Sequence, residues 1–301
     1  MNERRALGFG LSAVLLWSTV ATAFKLTLAE FTPIQMLTVA SVVSAIALTC
    51  ICALKGKLST LKDTFLANPW YYILLGLINP LAYYVILFKA YDLLPASQAQ
   101  AINYSWAITL TLMAAVFLGQ RIRGQDWIAC CLSYVGVIVI ATQGDILGLN
   151  FASPLGVGLA LLSTLLWASY WILNTKNKAD PIVGVLLGFL VAIPCAIALS
   201  LYEGATWSGI SLQGWLAVSY VGLFEMGVTF VLWLSALKLT QNTARISNLI
   251  FASPFISLAL LASVLGEEVH PSTLMGLVLI IGGLVIQQIK FGKKDLAPST
   301  K

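Results

Sequence analysis

The sequence predicts an all-α integral membrane protein of ten transmembrane helices, arranged as two inverted five-helix repeats around a central cavity. Three observations support this prediction. Of the 301 residues, 59% are hydrophobic and 10% are charged, whereas an average soluble domain has about 45 to 50% and about 25%. Ten apolar runs, each near the length of about 20 residues that a helix needs to cross the hydrocarbon core, follow one another along the chain. The two halves of the chain also match each other in sequence.

Turn-forming or charged residues bound each apolar run, and such residues end a helix or hold it at the membrane surface. The predicted spans are residues 7–28, 33–54, 70–91, 95–118, 126–143, 154–174, 181–202, 212–237, 242–265 and 271–290. Prolines stand at five of the starts, namely Pro33, Pro95, Pro154, Pro181 and Pro271. A helix tolerates proline there because its first backbone N–H groups have no intrahelical acceptor. The first run is too long for a removable signal peptide, so we expect it to be a true span.

The distribution of Lys and Arg predicts the orientation, because these residues in short loops are retained on the cytoplasmic side. With the N-terminus inside, the inner loops and tails hold 14 of the 17 Lys and Arg, and the outer loops hold none. The other three, Lys25, Lys89 and Arg245, lie near the ends of spans and are expected to extend their charged groups to water. We therefore expect a membrane protein with both termini in the cytoplasm. The cations are too scattered to form a nucleic-acid surface.

An internal repeat relates the two halves of the chain. Trp17 and Trp167, each preceded by two leucines, are 150 residues apart, and Gly76 and Gly222 are 146 residues apart. Because each copy holds five spans, an odd number, the second copy must cross the membrane in the opposite sense. Inverted repeats are typical of secondary transporters, which bind substrate near the midplane between the two copies. The predicted repeats are residues 1–145 and 146–301.

Several short segments carry a family resemblance. They are residues 15–19 (LLWST), 166–170 (LWASY), 244–254 (ARISNLIFASP) and 265–268 (LGEE). These segments resemble the EamA-type repeats of the drug/metabolite transporter superfamily. With residues 103–106 (NYSW), they are similar to the YddG-type bacterial exporters of aromatic amino acids. The resemblance covers nearly the full length, and it implies a transporter of amino acids or similar metabolites in the bacterial inner membrane.

Polar and aromatic side chains inside the spans are the candidates for a substrate site, because polar atoms in a membrane face the bundle interior or a watery cavity. Trp and Tyr are typical of the headgroup level, yet several of these aromatic residues lie halfway along their spans. The predicted substrate-binding residues are Trp17, Asn79, Tyr83, Asn103, Trp106, Trp167, Tyr170, Trp171, Glu225 and Asn248. The alternative is structural: aromatic residues in mid-span also pack between helices, and asparagines also form hydrogen bonds across them.

Glu225 is the one acid well inside a predicted span, and it corresponds to Asn79 in the first repeat. A charged side chain at the bilayer centre costs about 2.5 to 3.5 kcal/mol on insertion scales, so such residues are functional candidates. One interpretation is that Glu225 couples transport to protons or orients substrate. The other is a carboxyl that is hydrogen-bonded between helices, which the neutral Asn79 at the equivalent place favours.

The sequence contains no catalytic, metal-binding, Walker or dinucleotide motif, so we expect no enzyme activity, no metal and no cofactor. A secondary transporter that works by alternating access at a midplane site is the interpretation that remains. Aromatic faces and neutral amides suit amino acids, with aromatic or large neutral ones favoured. An exporter of drug-like or quaternary cations is the alternative within the same class, and a non-transporting membrane scaffold is the alternative from another class. A monomer is compatible with the sequence.

Pro254 predicts a bend in the ninth span near residues 250–254, because proline removes a backbone donor and clashes with the carbonyl four residues earlier. The counterpart of Pro254 in the fourth span is Ala107. We therefore expect the fourth span to be continuous and the two halves of the protein to flex unequally.

Overall fold

The computed structural model describes residues 2–119, 121–147, 153–175, 177–241, 246 and 248–288. Within these ranges every regular element is a helix, which confirms the all-α membrane architecture. Ten helices are long and apolar enough to cross a membrane, and we number them span 1 to span 10. They are Glu3–Leu28, Pro33–Leu54, Pro69–Leu93, Ala96–Leu118, Gly124–Ala141, Pro154–Asn174, Pro181–Tyr202, Leu212–Leu239, Asn248–Leu265 and Pro271–Gln288. One further helix, Ser59–Ala67, connects spans 2 and 3 and was not predicted.

The ends of the spans carry the capping groups that their sequences supply. At the start of span 2, the Thr32 hydroxyl accepts from the Gln35 backbone N–H and the Gln35 side chain accepts from the Thr32 N–H, a reciprocal capping box. Spans 4 and 9 both end at a glycine, Gly119 and Gly266, with φ of 66° and 64°. A side chain would strain this left-handed backbone. The two repeats therefore end their fourth helices in the same way.

The two repeats interlock, with the first helix of each packed on the other. Span 1 packs against spans 8 and 9, and span 6 packs against spans 3 and 4. Span 2 pairs with span 7, and span 5 pairs with span 10. Every one of these contacts joins the two halves of the chain, so the core of the bundle is built jointly from both.

Glycines allow the backbones to approach closely at equivalent places in the two halves. A Cβ added to Gly76 in span 3 would lie 2.7 Å from the Gly188 carbonyl oxygen in span 7. A Cβ on Gly222 in span 8 would lie 2.6 Å from the Ala40 carbonyl oxygen in span 2. Because lipid gives no hydrophobic drive for helices to associate, such close packing of small residues holds membrane helices together.

Spans 3 and 8 are not continuous α-helices. A π-helical segment, Leu77–Ala82, interrupts span 3, and within it Asn79 has extended backbone angles (φ −142°, ψ 119°). A second π-helical segment, Val221–Glu225, interrupts span 8, and the α-helix resumes at Val228. Irregular backbone at bilayer depth is tolerated only where it is buried in protein or lines a cavity. The two breaks therefore mark the interior between the repeats.

Span 4 is also broken, so the prediction of a continuous helix was wrong. It consists of Ala96–Asn103 and Trp106–Leu118. No proline is needed, because the Ser105 N–H donates to the Ile102 carbonyl at 3.0 Å, a bond to the third residue back that tightens the turn.

Span 9 changes helix type within the segment where the bend was predicted. A 3₁₀ segment, Asn248–Ala252, precedes the α-helix Ser253–Leu265. The second α-helix of span 4 begins at Trp106 and the α-helix of span 9 begins at Ser253. These two residues are 147 residues apart and correspond in the repeat. The repeats therefore share a break in the fourth helix as well as in the third.

Candidate substrate-binding site

Trp167, near the middle of span 6, is the centre of a group of aromatic rings. The Tyr83 ring centroid lies 4.7 Å from that of Trp167, and the Tyr170 ring stacks beside it at 5.8 Å. Three further rings lie within 6.3 Å, namely those of Trp106, Trp171 and Phe230. These separations are in the range at which aromatic pairs attract one another. Aromatic rings from spans 3, 4, 6 and 8 are therefore in contact around Trp167.

Phe230 connects this group to span 1. Its ring centroid lies 5.6 Å from that of Trp17 and 6.3 Å from that of Trp167. Trp17 also contacts Trp233, one turn further along span 8, at 5.5 Å. Trp17 and Trp167, the equivalent tryptophans of the two repeats, therefore face each other across Phe230. We call the whole set the aromatic cluster, which comprises Trp17, Tyr83, Tyr84, Trp106, Trp167, Tyr170, Trp171, Phe230 and Trp233.

Polar side chains lie beside the aromatic cluster. The Asn103 amide donates to the Ser163 hydroxyl at 2.9 Å and also lies against the Tyr83 hydroxyl. Asn79, in the break of span 3, lies against the Tyr170 hydroxyl. Its Oδ1 atom is buried and accepts no hydrogen bond from a described residue, and the buried Trp171 Nε1 donates none. Buried polar atoms are nearly always paired, so unpaired ones are candidates for contact with a ligand or water.

Glu225 closes the break in span 8, where it is partly buried. Its Oε1 accepts a hydrogen bond from the Tyr84 hydroxyl at 3.2 Å, and the Tyr84 ring contacts the Tyr83 ring at 4.7 Å. The carboxyl is thereby joined to the aromatic cluster. Glu225 and Asn79 are 146 residues apart and occupy the breaks of equivalent helices. The site thus carries a carboxyl on one repeat and an amide on the other.

Two predicted features lie apart from this arrangement. Asn248 is exposed on the 3₁₀ segment of span 9. Arg245 lies outside the described residues. The structure therefore brings together the other nine predicted site residues, but it does not connect Asn248 to them.

The expectation that Lys25 reaches water is wrong. Its amine donates to the backbone carbonyls of Tyr91 and Leu94, at 2.6 and 2.7 Å, where span 3 ends. The last carbonyls of a helix have no intrahelical donor, so a cation there satisfies them. Lys89 is exposed and forms an ion pair with Asp92 at 2.6 Å.

Two cavities lie at opposite ends of the bundle. One of about 580 Å³ is at the predicted cytoplasmic end, where its lining includes Trp171, Thr175 and Arg121. The other, of about 360 Å³, is at the predicted outer end, where its lining includes Thr22 and Tyr220. Trp171 belongs to both the first cavity and the aromatic cluster, so this cavity extends to the edge of the cluster.

Sequence reasoning missed Phe230 and Trp233 as members of the aromatic cluster. The signal was present in the repeat, because Phe230 follows Tyr84 by 146 residues, the same spacing that relates Gly76 to Gly222. Mapping each aromatic residue of span 3 onto span 8 would have found Phe230.

The EamA-like transporter family model matches this chain twice, over residues 4–142 and residues 154–287. The chain belongs to the EamA-like transporter family. It is 27% identical to the aromatic amino acid exporter YddG of Ancylobacter novellus, over 95% of this chain and 98% of that protein. It is 26% identical to a protein of Escherichia coli named "Probable amino-acid metabolite efflux pump", over 70% of this chain and 74% of that protein.

A solved crystal structure supports the fold of this EamA-like transporter independently. It aligns with a TM-score of 0.67 at 21% sequence identity, over 95% of this chain and 97% of that chain. At this identity the likeness concerns the fold alone. Together with the family, it identifies the bundle as a membrane transporter.

Proposed function

We propose that this EamA-like transporter exports amino acids, with aromatic or large neutral ones favoured, by alternating access to the aromatic cluster. The observation that carries the proposal is the meeting of Trp17 and Trp167 across Phe230, where the two repeats contribute rings to one place between the broken helices. Substrates of inverted-repeat transporters bind near the midplane between the repeats, beside discontinuous helices. The names of the relatives from Ancylobacter novellus and Escherichia coli support the same substrate class.

The chemistry of the site suits an amphiphilic zwitterion. Aromatic faces stack on a ring or an apolar side chain. The amides of Asn79 and Asn103 can donate to a carboxylate, and the Glu225 carboxyl can accept from an ammonium group. We propose that Trp17, Tyr83, Trp106, Trp167, Tyr170 and Trp171 bind the apolar part of the substrate, and that Asn79, Asn103 and Glu225 bind its polar part.

The cavities at the two ends support alternating access. We propose that substrate enters from the cytoplasm through the 580 Å³ cavity, passes Trp171 and reaches the aromatic cluster. The 360 Å³ cavity lies at the end through which it would leave. We propose an inner-membrane location with both termini in the cytoplasm, which the distribution of Lys and Arg supports.

Counterflow in proteoliposomes tests the proposal. Vesicles loaded with one of the twenty amino acids should take up labelled phenylalanine fastest when the internal compound is aromatic or large and neutral. Trp70→Phe serves as a control variant. Trp70 lies in span 3, as Tyr83 of the aromatic cluster does, but it is 80% exposed and outside the cluster. Its rate should equal that of the wild type. If no internal amino acid accelerates phenylalanine uptake, amino acids are not the substrate.

A second candidate is an exporter of aromatic or quaternary cations, which the carboxyl of Glu225 beside an aromatic cluster favours, because ring faces and a carboxylate both attract cations. The same vesicles distinguish it when tetraphenylphosphonium replaces phenylalanine. Exchange of that cation without exchange of amino acids would establish the second candidate. Exchange of neither would favour a non-transporting scaffold.

A further inference from the structure

Glu225 differs from the other acids in the described parts of the spans by its depth. Glu3, Asp92 and Asp126 lie within the first or last turns of spans 1, 3 and 5, where water is close. Glu225 lies at the centre of span 8, at the end of its π-helical segment. Intramembrane acids are rare and costly, and they are candidates for ion or proton pathways.

The groups that face Glu225 in the described part of the chain are neutral. Glu225 accepts one hydrogen bond from a described residue, and the donor is the Tyr84 hydroxyl. The other titratable groups within electrostatic range are the phenols of Tyr83, Tyr91 and Tyr104, contributed by spans 3 and 4. Unperturbed phenols do not ionise in the physiological pH range.

Among the residues that the structure describes, the helices packed against the break bring no cation to the carboxyl. Span 2 has no charged residue between Pro33 and Leu54. The cations of the described parts of spans 1 and 8 lie in their first or last turns, and Lys25 among them is bonded to the end of span 3. No ion pair to Glu225 exists among the described residues.

A carboxylate held in a low-dielectric interior without a cation is unfavourable, and it is relieved either by binding a proton or by pairing with a cation. The two reliefs exclude each other, because both use the same negative charge. We propose that Glu225 binds a proton and the cationic group of the substrate by turns, so that each exported molecule exchanges for one proton. This inference rests on the proposed function and adds its source of energy.

The steps balance in protons and charge. On the cytoplasmic side, the Glu225 carboxyl releases its proton to water, and the substrate's ammonium group pairs with the carboxylate. On the outer side, a proton from water binds the carboxylate oxygen as the substrate leaves, and the protonated site returns. The equivalent residue of the other repeat, Asn79, has no exchangeable charge. One proton per substrate molecule is therefore the expected ratio.

Proton release on binding tests the inference directly. Purified protein in weakly buffered detergent receives phenylalanine, and a pH dye reports released protons while tryptophan fluorescence reports binding. The wild type should release about one proton per bound molecule, and Glu225→Gln, which lacks the charge that pairs with the ammonium group, should bind more weakly and release none. The matched control is Glu203→Gln, an exposed acid in the loop after span 7, which should behave as the wild type. Tyr84→Phe keeps the carboxyl and removes its hydrogen bond, so it should retain release with a displaced pH midpoint.

Proteoliposomes supply the second measurement. An outward-directed proton gradient of about one pH unit, with the vesicle interior more acid, should drive about tenfold accumulation of substrate inside the vesicles by the wild type. Glu225→Gln should only equilibrate the substrate.

The outcomes separate this inference from the proposed function. Phenylalanine flux without proton release, and with unaltered pH dependence in Glu225→Gln, would overturn the coupling and leave the amino-acid function standing. Proton release by tetraphenylphosphonium but not by phenylalanine, lost in Glu225→Gln, would support the coupling and contradict the amino-acid function. Binding of neither compound would contradict both.

Discussion

The Glu267 carboxylate, at the end of span 9, accepts a hydrogen bond from the backbone N–H of Ser97, at the start of span 4, at 2.9 Å. A negative charge stabilises the start of a helix, where N–H groups lack intrahelical acceptors. Lys25 satisfies the carbonyls of Tyr91 and Leu94 at the end of span 3, next to the same turn. Charges from span 1 and from the segment after span 9 therefore hold the turn between spans 3 and 4.

Removal of the Glu267 carboxylate should open the predicted outer end. Hydrogen bonds to charged groups are worth about 1.5 to 3 kcal/mol, and about 1.4 kcal/mol changes a population tenfold. Glu267→Ala should therefore raise the labelling rate of a cysteine at Thr22, in the outer cavity, by about tenfold in a cysteine-free background. Glu268→Ala is the matched control, because Glu268 is exposed and adjacent. Equal rates in both variants would show that the contact does not restrain opening.

Substitution at the centre of the aromatic cluster should weaken substrate binding. Trp167→Phe keeps a ring but loses the indole that contacts five neighbours, and aromatic pairs contribute about 0.5 to 1.5 kcal/mol each. We expect about a two- to tenfold loss of phenylalanine affinity, measured by tryptophan fluorescence or isothermal calorimetry.

Trp17→Ala should abolish transport with expression near that of the wild type. Loss of folded Trp17→Ala protein would instead identify Trp17 as a packing residue.

Pro254 should set the rate of the conformational change rather than the affinity. Proline has no backbone N–H to extend the α-helix back into Asn248–Ala252, and Pro254→Ala restores that donor. We expect slower turnover with unchanged binding, measured by counterflow and by equilibrium binding. Ala107→Pro, at the equivalent place near the start of the second helix of span 4, should be tolerated because proline fits a first turn. An unchanged Pro254→Ala turnover would exclude a hinge there.

Asp180 should stabilise the start of span 7 through two separable contacts. It accepts from the Ile182 backbone N–H at 3.0 Å and forms an ion pair with Lys57. Asp180→Asn keeps the cap and loses the ion pair, which at this exposure is worth about 0.2 to 1 kcal/mol. Asp180→Ala should lower the free energy of unfolding by a further amount of about 1 kcal/mol. Unfolding midpoints in detergent measure both, and equal midpoints for the two variants would contradict a capping role.

The contribution of Asp180 should also depend on pH. Burial opposes its ionisation, but Lys57 and the first backbone N–H groups of span 7 outweigh burial and hold the pKa of Asp180 below its usual range. A carboxyl with a lowered folded pKa stabilises the protein above its unfolded pKa and loses that effect as the pH falls through the folded value. The difference between wild type and Asp180→Asn should therefore be full at neutral pH and vanish in strong acid.

Single cysteines test the orientation. In a cysteine-free background, Ser59→Cys lies in the loop between spans 2 and 3, and Ser208→Cys lies in the loop between spans 7 and 8; both positions are exposed. A membrane-impermeant thiol reagent added to whole cells should label the cysteine at 208 and spare the one at 59. The reverse pattern would place both termini outside.

The ten spans could be predicted because length and hydropathy decide which segments cross a bilayer, and all ten overlap the observed helices. The breaks in spans 3, 4 and 8 were not predicted. The break in span 4, for example, depends on a local hydrogen bond of Ser105, which hydropathy does not register. Lys25 shows the same limit. Its acceptors, on Tyr91 and Leu94, come from another helix and are fixed only by the packing.

The aromatic site was predictable in part. Depth along the spans selected Trp17 and Trp167, whose rings both lie beside that of Phe230. Depth alone cannot show which helix supplies the ring between them. Phe230 has an ordinary apolar context in span 8, and its role follows only from the interlocked packing of the repeats or from the spacing of the repeat itself.

Because span 1 packs against spans 8 and 9, its assembly into the bundle must wait until those late spans have been synthesised. The Ser18 hydroxyl donates to the Ser253 hydroxyl, which is 235 residues later in the chain. A ribosome that adds about 5 to 20 residues per second needs on the order of ten to fifty seconds to supply that partner. During this interval span 1 lacks spans 8 and 9, the helices against which it packs. The nascent chain therefore assembles late, and a translation product that stops after residue 145 has no complete core to form.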